Sequence, residues 1–274
     1  MTGRGRLTFT RVIDLHCHLL PGIDDGPETV TESIALARAA AGNDVRTLVA
    51  TPHVSWRYHN DPDTIARLVG ELSTRLVAEQ VALEVRPGAE IAMTHLADID
   101  PAQLPRLGLG GGPWLLVEPP FTPMASNLDA ILLDLQRRGH RVLLAHPERC
   151  PTFHRDPLML GSLVRAGVLT SITAGSLVGR FGESVRRFAL QLAQDGMLHN
   201  VASDAHDHIH RPPGMVSELR QAGLGPLAEW LTLEVPAAIL DDDEIPPRPS
   251  VALPSIRTSR RQWWRRLGSA NPRA

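Results

Sequence analysis

Short apolar runs alternate with longer amphipathic stretches along most of this chain, and this alternation constrains its fold more than any other feature. The apolar runs predict seven strands, at residues 11–16, 47–50, 82–86, 114–118, 141–146, 169–173 and 199–203. The stretches between them predict helices at residues 27–42, 61–80, 127–140, 156–167 and 183–196, with further helical segments at 214–223 and 225–231. Because such alternation produces parallel sheets, the sequence predicts one α/β domain.

A closed barrel is favoured over an open sheet, because no glycine-rich dinucleotide loop follows the first strand. The GLGGG run at residues 108–112 precedes a strand rather than opening a helix, and we interpret it as a loop. No apolar run approaches the roughly 20 residues of a membrane-spanning helix. The first 16 residues also lack the apolar stretch of a signal peptide, so the sequence predicts a soluble cytoplasmic protein.

The charged residues exclude several kinds of chemistry. All 28 basic residues are arginine, which excludes a Schiff-base lysine and a P-loop lysine. The two cysteines, Cys17 and Cys150, are too few for a disulfide framework. Seven arginines and no acidic residue follow Glu244, so the net charge of −2 for the whole chain leaves −9 for residues 1–247. An acidic body of this kind argues against non-specific nucleic-acid binding.

The end of the chain differs in composition from the rest. Residues 241–256 are acidic and then proline-rich, and we predict a linker there. The remaining segment, RTSRRQWWRRLGSANPRA, combines arginine with two tryptophans. It is either a disordered tail or, through residues 257–266, a segment that docks on a partner or an anionic membrane surface.

Histidine and acidic side chains follow six of the seven predicted strands. In a parallel α/β barrel the carboxyl ends of the strands meet at one rim, where functional side chains collect. Any one of these histidines alone would more often be structural than a ligand, but their joint occurrence at one rim favours a metal centre. The nine candidates are five histidines and four carboxylates: His16, His18, Asp25, His53, Glu90, Glu118, His146, Asp204 and His206.

Nitrogen and oxygen ligands without cysteine suit zinc, manganese or iron. Nine ligands exceed the needs of one ion, since a catalytic zinc site typically uses three protein ligands and a water. A cluster of two or three divalent ions is therefore predicted, and such clusters promote the hydrolysis of phosphate esters.

The motifs HCH, IDDG, TPH, PGAEI, LVEPP, AHPER and SDAHD occur in this order between about residues 12 and 240. In this respect the chain resembles the polymerase-and-histidinol-phosphatase (PHP) superfamily. More narrowly, it is similar to the metal-dependent tyrosine-protein phosphatases of bacterial capsular and exopolysaccharide loci. The resemblance implies a distorted seven-stranded β/α barrel with a trinuclear metal site. It makes residues 1–240 the phosphatase domain and residues 241–274 an appended linker and tail.

The resemblance also implies how the ligands are divided. The first ion would be held by His16, His18, Glu90 and Asp204. Glu90 would bridge to a second ion, bound also by Glu118 and His146, and a third would be bound by Asp25, His53 and His206. Manganese is the expected metal, with zinc, iron or cobalt as alternatives. Arg149 and Arg211 resemble the arginines that bind the substrate phosphate, to which a planar guanidinium is well suited.

The implied reaction is direct hydrolysis of phosphotyrosine by a metal-bridging hydroxide, with a bacterial tyrosine kinase as the expected protein substrate. A cysteine-based phosphatase would need Cys-x5-Arg, and neither cysteine is followed by arginine at that spacing. Alternatives are a PHP phosphoesterase for a small metabolite such as histidinol phosphate, a metal-dependent amidohydrolase, and a non-catalytic scaffold. Amidohydrolases usually activate one or two metals with a carboxylated lysine or another bridging group; this chain has no lysine, but Glu90 can bridge instead.

Overall fold

Parallel strands alternate with helices in this protein, as the sequence predicts. The structure is a computed structural model that describes residues 11–122 and 127–253. The strands are β1 Val12–Cys17, β2 Val45–Ala50, β3 His53–Val54, β4 Glu84–Pro87, β5 Glu90–Ala92, β6 Trp114–Glu118, β7 Arg141–Ala145, β8 Leu169–Thr173 and β9 Asn200–Ala202. The α-helices are α1 Val30–Gly42, α2 Pro62–Ala78, α3 Leu128–Arg137, α4 Pro151–Arg155, α5 Pro157–Arg165, α6 Ala174–Leu177, α7 Glu183–Gln194, α8 Val216–Gln221 and α9 Val235–Asp241.

The strands form two sheets in which every pair is parallel. One sheet has the order β1-β2-β4, and the other has the order β3-β5-β6-β7-β8-β9. The described residues thus contain nine strand segments rather than seven, because β3 follows β2 after two residues and β5 follows β4 after two residues. Pro52 lacks an N–H for the ladder at the first break. Gly88 lies at the second, where a Cβ atom would come within 2.6 Å of Val49 Cγ1.

The residues between the strands form helices where the sequence supplies capping side chains. Thr29 and Glu32 form a reciprocal capping box, so α1 begins at Val30, three residues later than its proline suggests. Asp61 accepts hydrogen bonds from the N–H groups of Asp63 and Thr64 at the start of α2, as its position predicts. The helix expected at 225–231 is instead a 3-10 turn at Gly225–Leu227 and a π-helical turn at Trp230–Glu234 before α9. Pro236, which donates no hydrogen bond, accounts for the irregular turn that precedes it.

The described part of the C-terminal segment packs on the body of the protein. Ile245, Val251 and Leu253 contact the hydrophobic core. Arg248 donates to the carbonyl oxygen of Ala193 at 2.6 Å, and Trp230 donates to that of Pro246 at 3.0 Å. The Arg/Trp tail at 257–266 lies outside the described residues. Among the helices of the described ranges, none is both long and apolar enough to cross a bilayer.

A buried carboxylate, Asp14, joins the first strand to the chain beyond the last one. Asp14 accepts hydrogen bonds from the N–H of His16 at 3.2 Å and the N–H of Ser203 at 3.1 Å, and from the hydroxyl of Ser203. The backbone continues this junction, since Asp204 N–H donates to His16 O at 2.9 Å and His18 N–H donates to Ala205 O at 2.9 Å. Asp14 therefore positions two chain segments that both carry predicted ligands.

We expect Asp14→Ala to lower the free energy of unfolding by about 2–4 kcal/mol, because it leaves two buried N–H groups and a hydroxyl without their partner. Denaturant unfolding of chelator-treated protein measures this without a contribution from bound metal. The control is Glu71→Ala, which removes only an exposed ion pair with Arg67 and should cost about 0–1 kcal/mol. Equal losses in the two variants would contradict the role given to Asp14.

Candidate metal centre

All nine predicted ligands converge in the structure. Seven of them lie near the carboxyl end of a strand or in the loop after it, and His53 and Glu90 begin the short strands β3 and β5, three residues after the ends of β2 and β4. Their donor atoms form four overlapping groups whose members lie within 4.8 Å of one another. These groups are His18, Asp25, His53 and His206; His16, His18 and Asp204; His16, Glu90 and His146; and His53, Glu90 and Glu118.

Glu90 lies at the centre of the cluster and is only 1% exposed. Its Oε2 is 3.2 Å from His16 Nε2, 3.3 Å from His18 Nε2 and 3.1 Å from His53 Nδ1. Its Oε1 is 2.8 Å from His146 Nε2. One carboxylate therefore contacts four imidazoles, which places it where a bridging ligand would have to lie.

His16 and His18 bring a second carboxylate into the cluster. They are two residues apart in extended chain, so both side chains point to the same side, and their Nε2 atoms are 3.3 Å apart. Each Nε2 is also 3.6 Å from Oδ1 of Asp204. The intervening Cys17 is buried with its thiol 3.6 Å from the carbonyl oxygen of Ala205, and it belongs to none of the four groups.

Asp25 is the most exposed candidate ligand, at 46% of its side chain. Its Oδ1 lies 3.3 Å from His206 Nε2 and 3.4 Å from His53 Nε2. Burial opposes the charge of Asp25, but His206, His18 and His53 outweigh it and lower the pKa of this carboxyl. The carboxylate of Asp25 therefore lies on the solvent-facing side of the cluster, while Glu90 lies on the buried side.

The charges of the cluster call for a cation. Burial raises the pKa of Glu118 to about 9, and the negative charge of Glu90 adds to the effect. Burial also disfavours a charge on Glu90, yet its imidazole neighbours hold its pKa well below the usual range. Two carboxyl groups this close cannot both ionise readily without positive charge between them. Divalent metal ions would supply that charge, and the nitrogen and oxygen donors fit such ions.

Two of the ligands have backbone conformations that are unusual for residues other than glycine. His146 directly follows β7 with φ of 28°, and Asp204 lies two residues beyond β9 with φ of 50°. Such conformations cost of order 1–3 kcal/mol and cluster at functional sites. Here they occur where a side chain at a strand end reaches the cluster.

The two predicted phosphate-binding arginines lie against the cluster. Arg149 Nη1 is 2.8 Å from Asp204 Oδ2, and Arg211 Nη2 is 2.7 Å from the same oxygen. The guanidinium carbon of Arg149 is also 4.4 Å from the ring centroid of Phe181 and 5.0 Å from that of Phe121. Both arginines are partly exposed, so they stand between the buried ligands and solvent.

The other seven histidines do not join the four ligand groups found among the described residues. They are His59, His95, His140, His154, His199, His208 and His210.

The sequence analysis missed three buried acids that support the ligands. Asp24, 1% exposed, accepts from His18 Nδ1 at 2.7 Å and from the N–H of His53 at 3.1 Å. Glu148 accepts from the N–H of Thr173 at 3.1 Å and from the hydroxyl of Ser176 at 2.6 Å, which ties the segment after His146 to α6. Asp14 is the third. The sequence could have pointed to Asp24, because it directly precedes the candidate ligand Asp25 in the same DDG turn.

The fold and these donor groups define an α/β protein with a candidate metal centre of nitrogen and oxygen donors at one side of its parallel sheets. The family model described as "Capsular polysaccharide synthesis, CpsB/CapC" matches residues 12–222. This match covers most of the chain, and the protein therefore belongs to the CpsB/CapC family, which confirms the resemblance seen in its motifs.

Similar proteins agree with this assignment. Tyrosine-protein phosphatase YwqE of Bacillus subtilis (strain 168) is 38% identical over 197 residues, which is 72% of this chain and 78% of that protein. Putative tyrosine-protein phosphatase CapC of Staphylococcus aureus is 32% identical over 204 residues, 73% of this chain and 79% of that protein. Crystal structures of YwqE and of CpsB from Streptococcus pneumoniae are described as those of unique metal-dependent tyrosine phosphatases. A chain from that work is 33% identical with a TM-score of 0.75, covering 88% of this chain and 100% of its own.

Asp24→Asn tests whether the buried aspartate orients a ligand. We expect the affinity for Mn²⁺ to fall about 10–100-fold, since a carboxylate that holds a ligating imidazole typically contributes this much. Calorimetric titration of the chelator-treated protein measures the affinity. Asp98→Asn is the matched control, because Asp98 pairs at 3.8 Å with His95, which is outside the cluster. Unchanged Mn²⁺ affinity in Asp24→Asn would contradict the assignment.

Proposed function

We propose that this protein is a metal-dependent protein-tyrosine phosphatase that hydrolyses phosphotyrosine directly. The observation that carries the proposal is the position of Arg149 and Arg211, which both bond Asp204 at the edge of a nine-residue cluster of metal-type ligands. A pair of guanidinium groups beside a cluster of divalent-metal ligands is well suited to binding and hydrolysing a phosphate ester. The names of the relatives support phosphotyrosine as the substrate.

The cluster would hold two or three divalent ions, with manganese expected. The division into three positions follows the family resemblance. The groups of donor atoms that contain Asp204 and Asp25 support the first and third positions, and His146 Nε2 lies 2.8 Å from Glu90 Oε1 and 3.7 Å from Glu118 Oε1, which supports the second. The first position comprises His16, His18, Glu90 and Asp204, the second Glu90, Glu118 and His146, and the third Asp25, His53 and His206. When bound, the ions supply charge neutralisation and activate water for in-line attack on phosphorus.

The residues of the chain orient the substrate phosphate. Arg149 and Arg211 donate to its non-bridging oxygens, and their shared contact with Asp204 holds both guanidinium groups in place before substrate arrives. Water replaces tyrosine on phosphorus, and the products are inorganic phosphate and the free tyrosine side chain. The reaction needs no thiol, because neither buried cysteine stands in a Cys-x5-Arg loop.

A distorted seven-stranded barrel accounts for the two sheets. If β2 with β3 and β4 with β5 are each one broken strand, the nine segments reduce to seven. The isolated parallel bridge between Cys17 and Ala205 then joins the β1 edge to the chain after β9. The catalytic domain would comprise residues 1–240, with residues 241–274 as an extension.

The protein substrate would be a bacterial tyrosine kinase that controls capsule or exopolysaccharide synthesis, met in the cytoplasm. Membership of a capsular polysaccharide synthesis family supports this role. The Arg/Trp segment at 257–266 would assist docking on that partner or on the membrane beside it.

Hydrolysis of a phosphotyrosine peptide by the Mn²⁺-loaded protein tests the proposal. We expect phosphate release that a chelator abolishes and that His146→Ala lowers about 10²-fold or more, a loss typical of removing one charge-stabilising group. His140→Ala is the control, because His140 precedes the same strand, β7, at its opposite end and should retain activity.

Other outcomes point to the alternatives. Metal binding without release from phosphotyrosine would favour a small phosphate ester or an amide as substrate. The absence of both release and metal binding would favour a scaffold.

A further inference from the structure

We propose that Phe121 receives the aromatic ring of the substrate and so selects aryl over alkyl phosphate esters. This inference rests on the proposed phosphatase function and identifies the side chain that would favour tyrosine. Phe121 is a large hydrophobic residue that remains 44% exposed, although it lies within reach of the candidate metal centre. Three observations support the inference: its place in the chain, its contacts and its exposed surface.

The chain holds Phe121 close to a ligand. It follows Glu118, the last residue of β6, after only Pro119 and Pro120. Each proline restricts its own φ angle to about −65°, so this connection has little freedom. The thiol of Cys150 also donates to the carbonyl oxygen of Pro120 at 3.5 Å, which ties the connection to the segment after β7.

The ring of Phe121 contacts one candidate ligand and one phosphate-binding arginine. It stacks on the imidazole of His146 with a centroid distance of 5.5 Å and an interplanar angle of 18°. The guanidinium carbon of Arg149 lies 5.0 Å from its centroid. A phosphate group bound by Arg149 beside His146 would therefore lie next to the ring of Phe121.

A phosphotyrosine side chain places its ring directly on the ester oxygen of the phosphate. With the phosphate held by Arg149 and Arg211, that ring has to lie within one ring's length of the arginines, where the exposed surface of Phe121 is available. Aromatic pairs attract each other at centroid distances of about 4.5–7 Å. Phosphoserine has only a methylene group at this position, so it would gain much less from the same surface.

Phe181 offers an internal control, because it also stacks on Arg149, at 4.4 Å, but is less exposed than Phe121. A residue that acts only by orienting Arg149 should affect all phosphate ligands alike. A residue that binds the aryl ring should affect only ligands with a ring. The two phenylalanines therefore separate orientation of the guanidinium from recognition of the substrate.

The experiment compares competitive inhibition by phenylphosphonate and by inorganic phosphate in the full-length Mn²⁺-loaded protein. We expect Phe121→Leu to raise the inhibition constant of phenylphosphonate about 10-fold and to leave that of inorganic phosphate within about 2-fold. The preference in kcat/KM for a phosphotyrosine peptide over the same peptide with phosphoserine should fall in parallel. Phe121→Tyr, which keeps the ring, should restore the preference. Phe181→Leu should weaken both inhibitors by similar factors.

Two results would overturn the inference while leaving the phosphatase intact. One is an equal change for both inhibitors in Phe121→Leu, which would make Phe121 a residue that positions Arg149. The other is no change for either inhibitor. Manganese content and the unfolding midpoint of each variant establish that it is folded and loaded. A wild-type protein that binds Mn²⁺ but hydrolyses no aryl phosphate would overturn the proposed function and this inference together.

Discussion

The crowding of carboxylates and imidazoles around Glu90 is the constraint on which the rest of the structure depends. A buried carboxylate with four imidazole neighbours, and with Glu118 close by, is stable only if charge is balanced within the cluster. Metal ions would provide that balance, so metal binding and the stability of this region would be coupled. The supporting acids Asp14 and Asp24 have a different role, since Asp14 holds a chain segment and Asp24 an imidazole in the position that the cluster requires.

The parallel sheets bring the candidate ligands together. Because all paired strands run in one direction, their carboxyl ends deliver side chains from distant parts of the sequence to a single place. After two of the strands an extended backbone does not bring the side chain to the cluster. At His146 and Asp204 the backbone instead takes a positive φ angle, and the side chain reaches the other candidate ligands. The hydrogen bonds of Glu148 and Asp14 hold the segments beside those turns.

The centre divides into a buried side and an open side. Glu90, His16 and His18 lie almost without solvent contact, whereas Asp25, Arg149 and Arg211 remain partly exposed. The candidate metal ligands Glu90, His16 and His18 are thus shielded from solvent, and the two arginines proposed to bind phosphate are accessible to a protein substrate. Phe121 is also partly exposed, and its contacts with His146 and Arg149 place it beside the proposed phosphate site, where it would contact the group that carries the phosphate.

The sequence by itself determined the α/β class, the approximate strand positions and the convergence of the nine ligands, because hydrophobic periodicity and the direction of parallel strands are local and topological properties. A family resemblance, which the family match confirms, also predicted phosphate-binding roles for Arg149 and Arg211. Only the tertiary structure decided that two strands break at Pro52 and Gly88, that Asp24 accepts hydrogen bonds from His18 and from the N–H of His53, and that Phe121 lies over His146 and Arg149. These features depend on distances between residues far apart in the chain, which hydrophobic periodicity and short motifs do not specify.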